Sequence, residues 1–153
     1  MLDRPHPPVA VHPHEVDTIL SSWTTAKVMS DPLVTGSAAM SAVSLFFDPG
    51  QGHARHNHPS SEQIIYVVSG EAEMMIEHVE GRPETQTIRA GSCVHIPKGA
   101  YHSTFATGWE PVRILAVYSP PGPETVMREA AEFTVLPPGR LPSRAERGVA
   151  DSR

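Results

Sequence analysis

Apolar and polar positions along the chain follow the short period of β-strands. Segment 63–69, QIIYVVS, is rich in β-branched residues and apolar on both faces except at Gln63, which predicts a strand buried on two sides. Segment 71–79 alternates, which predicts a half-buried strand with His78 as a candidate for its inner face. Further strands are predicted over 23–29, 40–47, on both sides of a Pro-x-Gly turn at 97–99, and over 110–120.

Proline and glycine divide the chain into short elements. The 16 prolines and 11 glycines recur too often for a helical bundle, and no βαβ alternation is present. A short helix is predicted within 122–133, where Pro123 suits a first turn and Met127 and Ala131 are one turn apart. The pattern therefore indicates an all-β protein, either an antiparallel sandwich or a closed barrel, with one short C-terminal helix.

The two ends of the chain differ from its middle. Residues 1–15 are rich in proline and histidine and are interpreted as an extended arm, whose His6, His12 and His14 are more readily explained as solvated than as metal ligands. Residues 136–153 are polar and are predicted to be a disordered tail. The β-barrel is accordingly assigned to residues 16–135.

Composition excludes several classes of function. The net charge is −5 and the Lys and Arg residues form no cluster, which argues against nucleic acid as a partner. No apolar run approaches 18 residues, so no membrane-spanning helix is predicted, and the N-terminus lacks the apolar centre of a signal peptide. The single cysteine, Cys93, excludes an internal disulfide. A cytoplasmic location is expected.

Candidate chemistry is concentrated in segment 52–70. His56 and His58 are two residues apart, so on an extended strand both imidazoles project from the same face and can reach one ion. Imidazole is a suitable ligand for Fe, Mn, Ni, Cu and Zn. A third ligand is expected from the start of the next strand, and a fourth from elsewhere in the barrel.

Two motifs in this order resemble those of the cupin superfamily, in particular its small single-domain members. The first runs from Gly50 through His56-Asn57-His58 and Gln63 to Gly70, and the second comprises Gly91, Pro97, Gly99 and His102. The resemblance covers residues 40–120 and implies a conical antiparallel β-barrel of jelly-roll type with one metal ion inside. It also implies the metal ligands, which are His56, His58, His102 and, where the family usually has glutamate, Gln63.

Gln63 departs from the family pattern because a neutral amide replaces a carboxylate. The change removes one negative charge from the site, which should weaken binding of a divalent ion. Glu62 is the rival fourth ligand. Both the spacing to Gly70 and strand alternation favour Gln63 on the inner face and Glu62 on the outer one. Ala106 is a second departure, since the family often has asparagine there.

Several side chains are candidates for handling a substrate proton, because Gln63 cannot act as a base. They are Tyr118, His95 and Glu62. His95 is expected on the inner face with Cys93, which is interpreted as a small buried residue. His53 is either a loop residue or a donor to a metal ligand, with the loop interpretation preferred.

Three functions remain open. The first is a metal-dependent, dioxygenase-type enzyme with iron as the expected ion. The second is an isomerase, cyclase or lyase that uses Mn, Ni or Zn as a Lewis acid. The third is a barrel that binds a small ligand without turnover. The apolar outer positions Ile64, Tyr66 and Val68 further predict that a second sheet or a subunit covers this face, and a homodimer is expected.

Overall fold

A computed structural model describes residues 8–147 of the protein. A one-turn 3-10 helix, Pro13–Glu15, precedes the sheets. Eleven strands and one α-helix follow, in the order β1 (Thr18–Leu20), β2 (Thr25–Ser30), β3 (Ser41–Phe47), β4 (Gly52–His56), β5 (Glu62–Ser69), β6 (Glu71–Val79), β7 (Arg82–Arg89), β8 (Cys93–Ile96), β9 (Tyr101–Ala106), β10 (Val112–Ser119), α1 (Pro123–Glu129) and β11 (Thr134–Leu136).

The strands form two antiparallel sheets that enclose the core. The larger sheet has seven strands in the order β11-β1-β2-β3-β10-β5-β8, and the smaller has four in the order β4-β9-β6-β7. Val43 and Phe47 of β3, Val67 of β5 and Ile114 of β10 are all buried between the sheets. This arrangement is the jelly-roll architecture expected from the sequence, and it confirms the all-β fold with a short helix after the last long strand.

Strand β5 alternates strictly between inside and outside. Gln63, Ile65 and Val67 are buried, whereas Tyr66 and Val68 are each 45% exposed. The prediction that this strand is buried on both faces is therefore wrong for the isolated chain, because no second sheet formed by residues 8–147 covers the outer face. The homodimer that would cover it stays a prediction.

Strand β6 changes its alternation near its end. Its register with β7 shifts between Ile76 and Val79, so Glu77 is buried next to Ile76 and His78 turns outward. The bulge explains why the inward position considered for His78 is wrong.

Glycines are required where chains approach closely or turn tightly. The motif glycines Gly50, Gly70, Gly91 and Gly99 all have positive φ, as their role in turns predicts. At Gly70 an added Cβ would also lie 2.8 Å from the Pro111 carbonyl oxygen. At Gly52 it would lie 2.0 Å from the carbonyl oxygen of Thr104, so only glycine lets β4 pack this closely on β9.

The ends of the described chain are more structured than the sequence indicated. The predicted extended arm contains the 3-10 helix, in which the His12 backbone N–H donates to the Glu15 carboxylate at 2.9 Å. Leu136, assigned to the tail, instead completes β11 opposite β1 and is buried. His6 and residues 148–153 lie outside the described residues. No helix within residues 8–147 has the length and apolar character needed to cross a membrane.

Candidate metal centre

Two neighbouring strands bring three histidines together. His56, at the end of β4, is directly opposite His102 of β9 in the antiparallel register, and His58 follows two residues later. The ligand nitrogens of the three imidazoles all lie within 4.8 Å of one another. Within residues 8–147, this is the group of His, Cys, Asp or Glu side chains with the geometry to hold a metal ion.

Backbone carbonyls orient two of the imidazoles. His56 Nδ1–H donates to the Ala54 carbonyl at 2.7 Å, and His102 Nδ1–H donates to the Ala100 carbonyl at 2.9 Å. These hydrogen bonds leave the Nε2 lone pair of each ring available, which is the usual arrangement of histidines that bind metal.

Unpartnered polar atoms indicate which kind of group this site would hold. Nε2 of His58, Nε2 of His102 and Oε1 of Gln63 are buried and have no hydrogen-bond partner among the described residues. Buried polar atoms without partners are rare and costly in folded proteins. Three such atoms, each a metal-ligand type, fit a divalent transition metal ion.

Gln63 and Glu62 lie on opposite sides of the sheet. Gln63 is 3% exposed, and its register neighbours are Tyr118 of β10 and Ile96 of β8. Glu62 points outward and accepts a hydrogen bond from His95 Nε2 at 3.0 Å. The amide therefore faces the interior, as strand alternation indicated, and the carboxylate does not.

His95 and Cys93 are both exposed, so their predicted inward orientation is wrong. The reason is the register with β5, which places His95 opposite Ile64 and Cys93 opposite Tyr66. Directly opposed residues of an antiparallel pair share one face. His95 consequently lies with Glu62 on the outside.

Burial keeps the clustered histidines neutral. Desolvation, followed by repulsion from neighbouring imidazoles, lowers the pKa of His53 to about 4, of His56 to about 2 and of His58 to about 4. Burial also lowers the pKa of His102. Neutral imidazole is the form that binds metal, so near neutral pH no proton has to be displaced.

The same shifts predict how stability depends on pH in the metal-free protein. Between about pH 6.5 and 4 the unfolded chain protonates histidines that stay neutral in the folded state, since the folded pKa values are depressed. Stability is fully present above pH 6.5 and is lost as the pH falls. Thermal denaturation in chelator should give a Tm that decreases over this range, and His56→Phe should reduce the slope.

The exposed His78 provides the control for this measurement, because His78→Ala removes a histidine from outside the cluster. This variant should keep the full slope. A Tm that stays constant from pH 7 to 5, or equal slopes in both variants, would contradict the prediction.

Tyr118 is the sequence candidate that lies nearest the histidines. It is 5% exposed, and its ring packs edge-on against His58 with 5.1 Å between centroids. Burial, with a smaller contribution from Glu124, raises the pKa of the phenol. Tyr118 therefore remains protonated and can donate a hydrogen bond but cannot act as a base near neutral pH.

A cavity of about 230 Å³ opens onto the histidines. Its aromatic wall was not recognised from sequence. The His53 ring lies between Trp23 and His56, with centroid distances of 4.0 and 3.4 Å, and Phe133 packs edge-on against Trp23. His53 belongs to β4, so its interpretation as a loop residue is wrong. The remaining lining residues are Leu45, Asn57, His58, Tyr118, Pro123, Val126, Met127 and Glu132.

Comparisons with known proteins agree with this architecture. Residues 44–118 match the family described as Cupin domain. The rhicadhesin receptor of Pisum sativum is 26% identical over 122 residues, which are 80% of this chain and 56% of that protein. Glucose-6-phosphate isomerase of Thermococcus kodakarensis is 34% identical over 73 residues, 48% of this chain and 37% of that protein.

A solved structure of oxalate decarboxylase from Bacillus subtilis superposes with a TM-score of 0.61 at 24% identity, covering 66% of this chain and 26% of that one. This likeness shows the fold. The chain spans about half the length of most curated relatives that it matches. Taken with the two sheets and the histidine cluster, these matches assign the chain to the cupin-domain family.

Proposed function

We propose that the protein is a metal-dependent enzyme that oxidises a small organic substrate in a dioxygenase-type reaction. His56, His58, His102 and Gln63 would hold one divalent transition metal ion, with iron as the first candidate. The supporting observations are three imidazoles whose ligand nitrogens lie within 4.8 Å of one another, two of them lining a cavity, and the buried, unpartnered amide oxygen of Gln63, the register neighbour of Tyr118. When bound, such an ion would act as a redox-active Lewis acid.

None of the three residues that the sequence suggested for proton handling supplies a base inside the cavity. Tyr118 is a hydrogen-bond donor, suited to orienting a substrate oxygen beside His58. The carboxylate among the lining residues is Glu132, which is exposed at the mouth. An isomerase or lyase needs a base within hydrogen-bond reach of the substrate. His95 and Glu62 lie outside the cavity, so the proposal retains Tyr118 alone of the three proton-handling candidates.

A non-redox enzyme is the second candidate function. It is favoured by the similarity of this chain to glucose-6-phosphate isomerase, which covers 73 residues. The choice of metal bears on the same question, since oxalate decarboxylase of the shared fold holds Mn(II) centres. Manganese, nickel or zinc would suit Lewis-acid chemistry, whereas iron would suit oxidation.

An oxygen electrode distinguishes the two candidates. Iron-loaded protein, offered a set of small oxygen-containing organic acids and ketones, should consume O₂ in step with substrate loss. His58→Ala should lower this rate at least about a hundredfold, because the ligand set is broken, and His78→Ala should retain it. Substrate conversion without O₂ uptake would instead favour the non-redox enzyme, and binding without conversion would favour the ligand-binding barrel.

We also propose a homodimer formed through the outer face of β5. Ile64, Tyr66 and Val68 are exposed there, and Leu115 and Val117 of the adjacent β10 are only partly covered. A contiguous apolar surface of this kind is typical of an interface. The cytoplasmic location and the absence of a nucleic-acid partner stay predictions from the sequence.

A further inference from the structure

The ligand set leaves the charge of a divalent ion uncompensated. Three imidazoles and one amide are neutral donors, and no carboxylate of residues 8–147 belongs to the cluster. An ion held by these four groups keeps its full double charge in a partly buried site. Attraction to an anionic oxygen ligand is stronger there than in water, because the surroundings have a lower dielectric constant. The head of the substrate that meets the ion is therefore expected to be an anionic oxygen donor.

The walls of the cavity have the opposite character. Trp23, Phe133, Met127 and Leu45 provide apolar surface, and neither lysine nor arginine is among the lining residues. The volume of about 230 Å³ is below the range of about 300–1,000 Å³ typical for drug-sized ligands. A molecule with one ring fills such a space.

The arginines that neighbour cavity residues in sequence form ion pairs outside the cavity. Arg128 follows the lining residue Met127 but forms an ion pair with the buried carboxylate of Asp31, and its side chain is 18% exposed. Arg55 likewise precedes His56 but pairs with Glu77 at 2.7 Å and stacks on Tyr101. Neither guanidinium lines the cavity, whereas Glu132 contributes a negative charge at its mouth.

We propose that the cavity selects a compact substrate with a single anionic, oxygen-donor head and an apolar, ring-containing body, and that it rejects a second carboxylate. The inference rests on the proposed function, since the head is recognised by the metal. A body with a second carboxylate would place that group near Glu132 in a cavity whose lining includes no lysine or arginine, and a buried charge without a countercharge is costly. Small dicarboxylates are thus excluded by the walls of this cavity.

Two 2-oxo acids test the proposal without turnover. Benzoylformate and 2-oxoglutarate present the same chelating head, but the first carries a phenyl ring and the second a carboxylate. Isothermal titration calorimetry on zinc-loaded protein, with zinc measured in the same sample, should give a Kd for benzoylformate at least about tenfold lower.

Tryptophan fluorescence locates the bound ligand. The protein has two tryptophans, Trp23 in the cavity wall and Trp109, which is 99% exposed. In the Trp109→Phe variant the emission comes from Trp23 alone. Benzoylformate should quench this emission with the same Kd that calorimetry gives. Binding without any change in Trp23 emission would place the ligand elsewhere and overturn the proposal.

Reversal of the charge at the mouth provides the matched test. Glu132→Lys should raise affinity for 2-oxoglutarate at least about fivefold, because the second carboxylate gains a cation. Glu129→Lys adds the same charge at an exposed position of α1 outside the lining and should not. Equal or tighter binding of 2-oxoglutarate by the unaltered protein, or binding of neither acid by zinc-loaded protein, would overturn the inference.

The proposed function fails by a different result. Protein that binds no zinc would overturn the metal site and the inference together. Protein that binds metal and prefers benzoylformate, yet consumes no O₂ when loaded with iron, would contradict only the oxidation.

Discussion

Replacing His102 with alanine is expected to abolish stoichiometric metal binding. Protein purified from metal-supplemented medium should carry about one equivalent of a transition metal, and the His102→Ala and His56→Ala variants should carry almost none. His56 and His102 lie opposite each other in the β4–β9 register. Removing either imidazole leaves two imidazoles and an amide as candidate ligands. Inductively coupled plasma mass spectrometry of the purified proteins gives the metal content directly. Far-ultraviolet circular dichroism would establish that each variant remains folded.

Glu62→Ala is the informative control for this prediction. Glu62 neighbours Gln63 in sequence, but its carboxylate is bonded to His95 on the outer face of the sheet. Metal content should therefore be unchanged in Glu62→Ala. A loss of metal in this variant, or retention of one equivalent in both histidine variants, would show that the ion binds elsewhere.

Replacing Arg128 with methionine is expected to cost about 3 kcal/mol of stability, near the lower end of the range for breaking a buried ion pair. Its partner Asp31 is 1% exposed and would be left as an unpaired buried carboxylate. The cost stays at the lower end because Asp31 also accepts backbone hydrogen bonds from Leu33 and Val34. Urea denaturation of metal-free protein at neutral pH measures the change in unfolding free energy.

Two further variants separate the ion pair from ordinary side-chain packing. Arg140→Met removes an arginine whose pair with Glu146 is solvent-exposed, and should cost at most about 1 kcal/mol. Introducing Arg128→Met into Asp31→Asn protein should cost less than in the unaltered protein, because no buried charge is then abandoned. Equal costs in both backgrounds would assign the effect to lost packing of the arginine stem.

Part of the histidine cluster and the inward orientation of Gln63 could be predicted because they are encoded locally. The alternation that turns Gln63 inward depends only on strand geometry. His58 lies two residues beyond His56, where β4 ends, so strand alternation alone does not account for its position. His102 followed from the second motif. The orientation of His95 could not be predicted in the same way, since it depends on the register that β8 adopts beside β5. A shift of one residue exchanges the inner and outer faces.

The cavity walls were not predictable for a different reason. Trp23 comes from the loop before β2, His53 from β4, and Glu132 and Phe133 from the segment after α1. Contacts among residues so distant in sequence depend on the whole topology, and a single sequence carries no periodic signal for them. The stack of the His53 ring between Trp23 and His56 is the clearest case. The residues adjacent to His53 in sequence do not indicate that its ring faces inward.

The anchoring of His56 and His102 by peptide carbonyls has a consequence for engineering the site. In many metalloproteins a carboxylate side chain fixes the ring tautomer and must be preserved together with the ligand. Here the accepting oxygens belong to the main chain at Ala54 and Ala100. Libraries that randomise the cavity wall can therefore change substrate specificity, because the orientation of the His56 and His102 rings depends on main-chain carbonyls that side-chain substitutions do not remove.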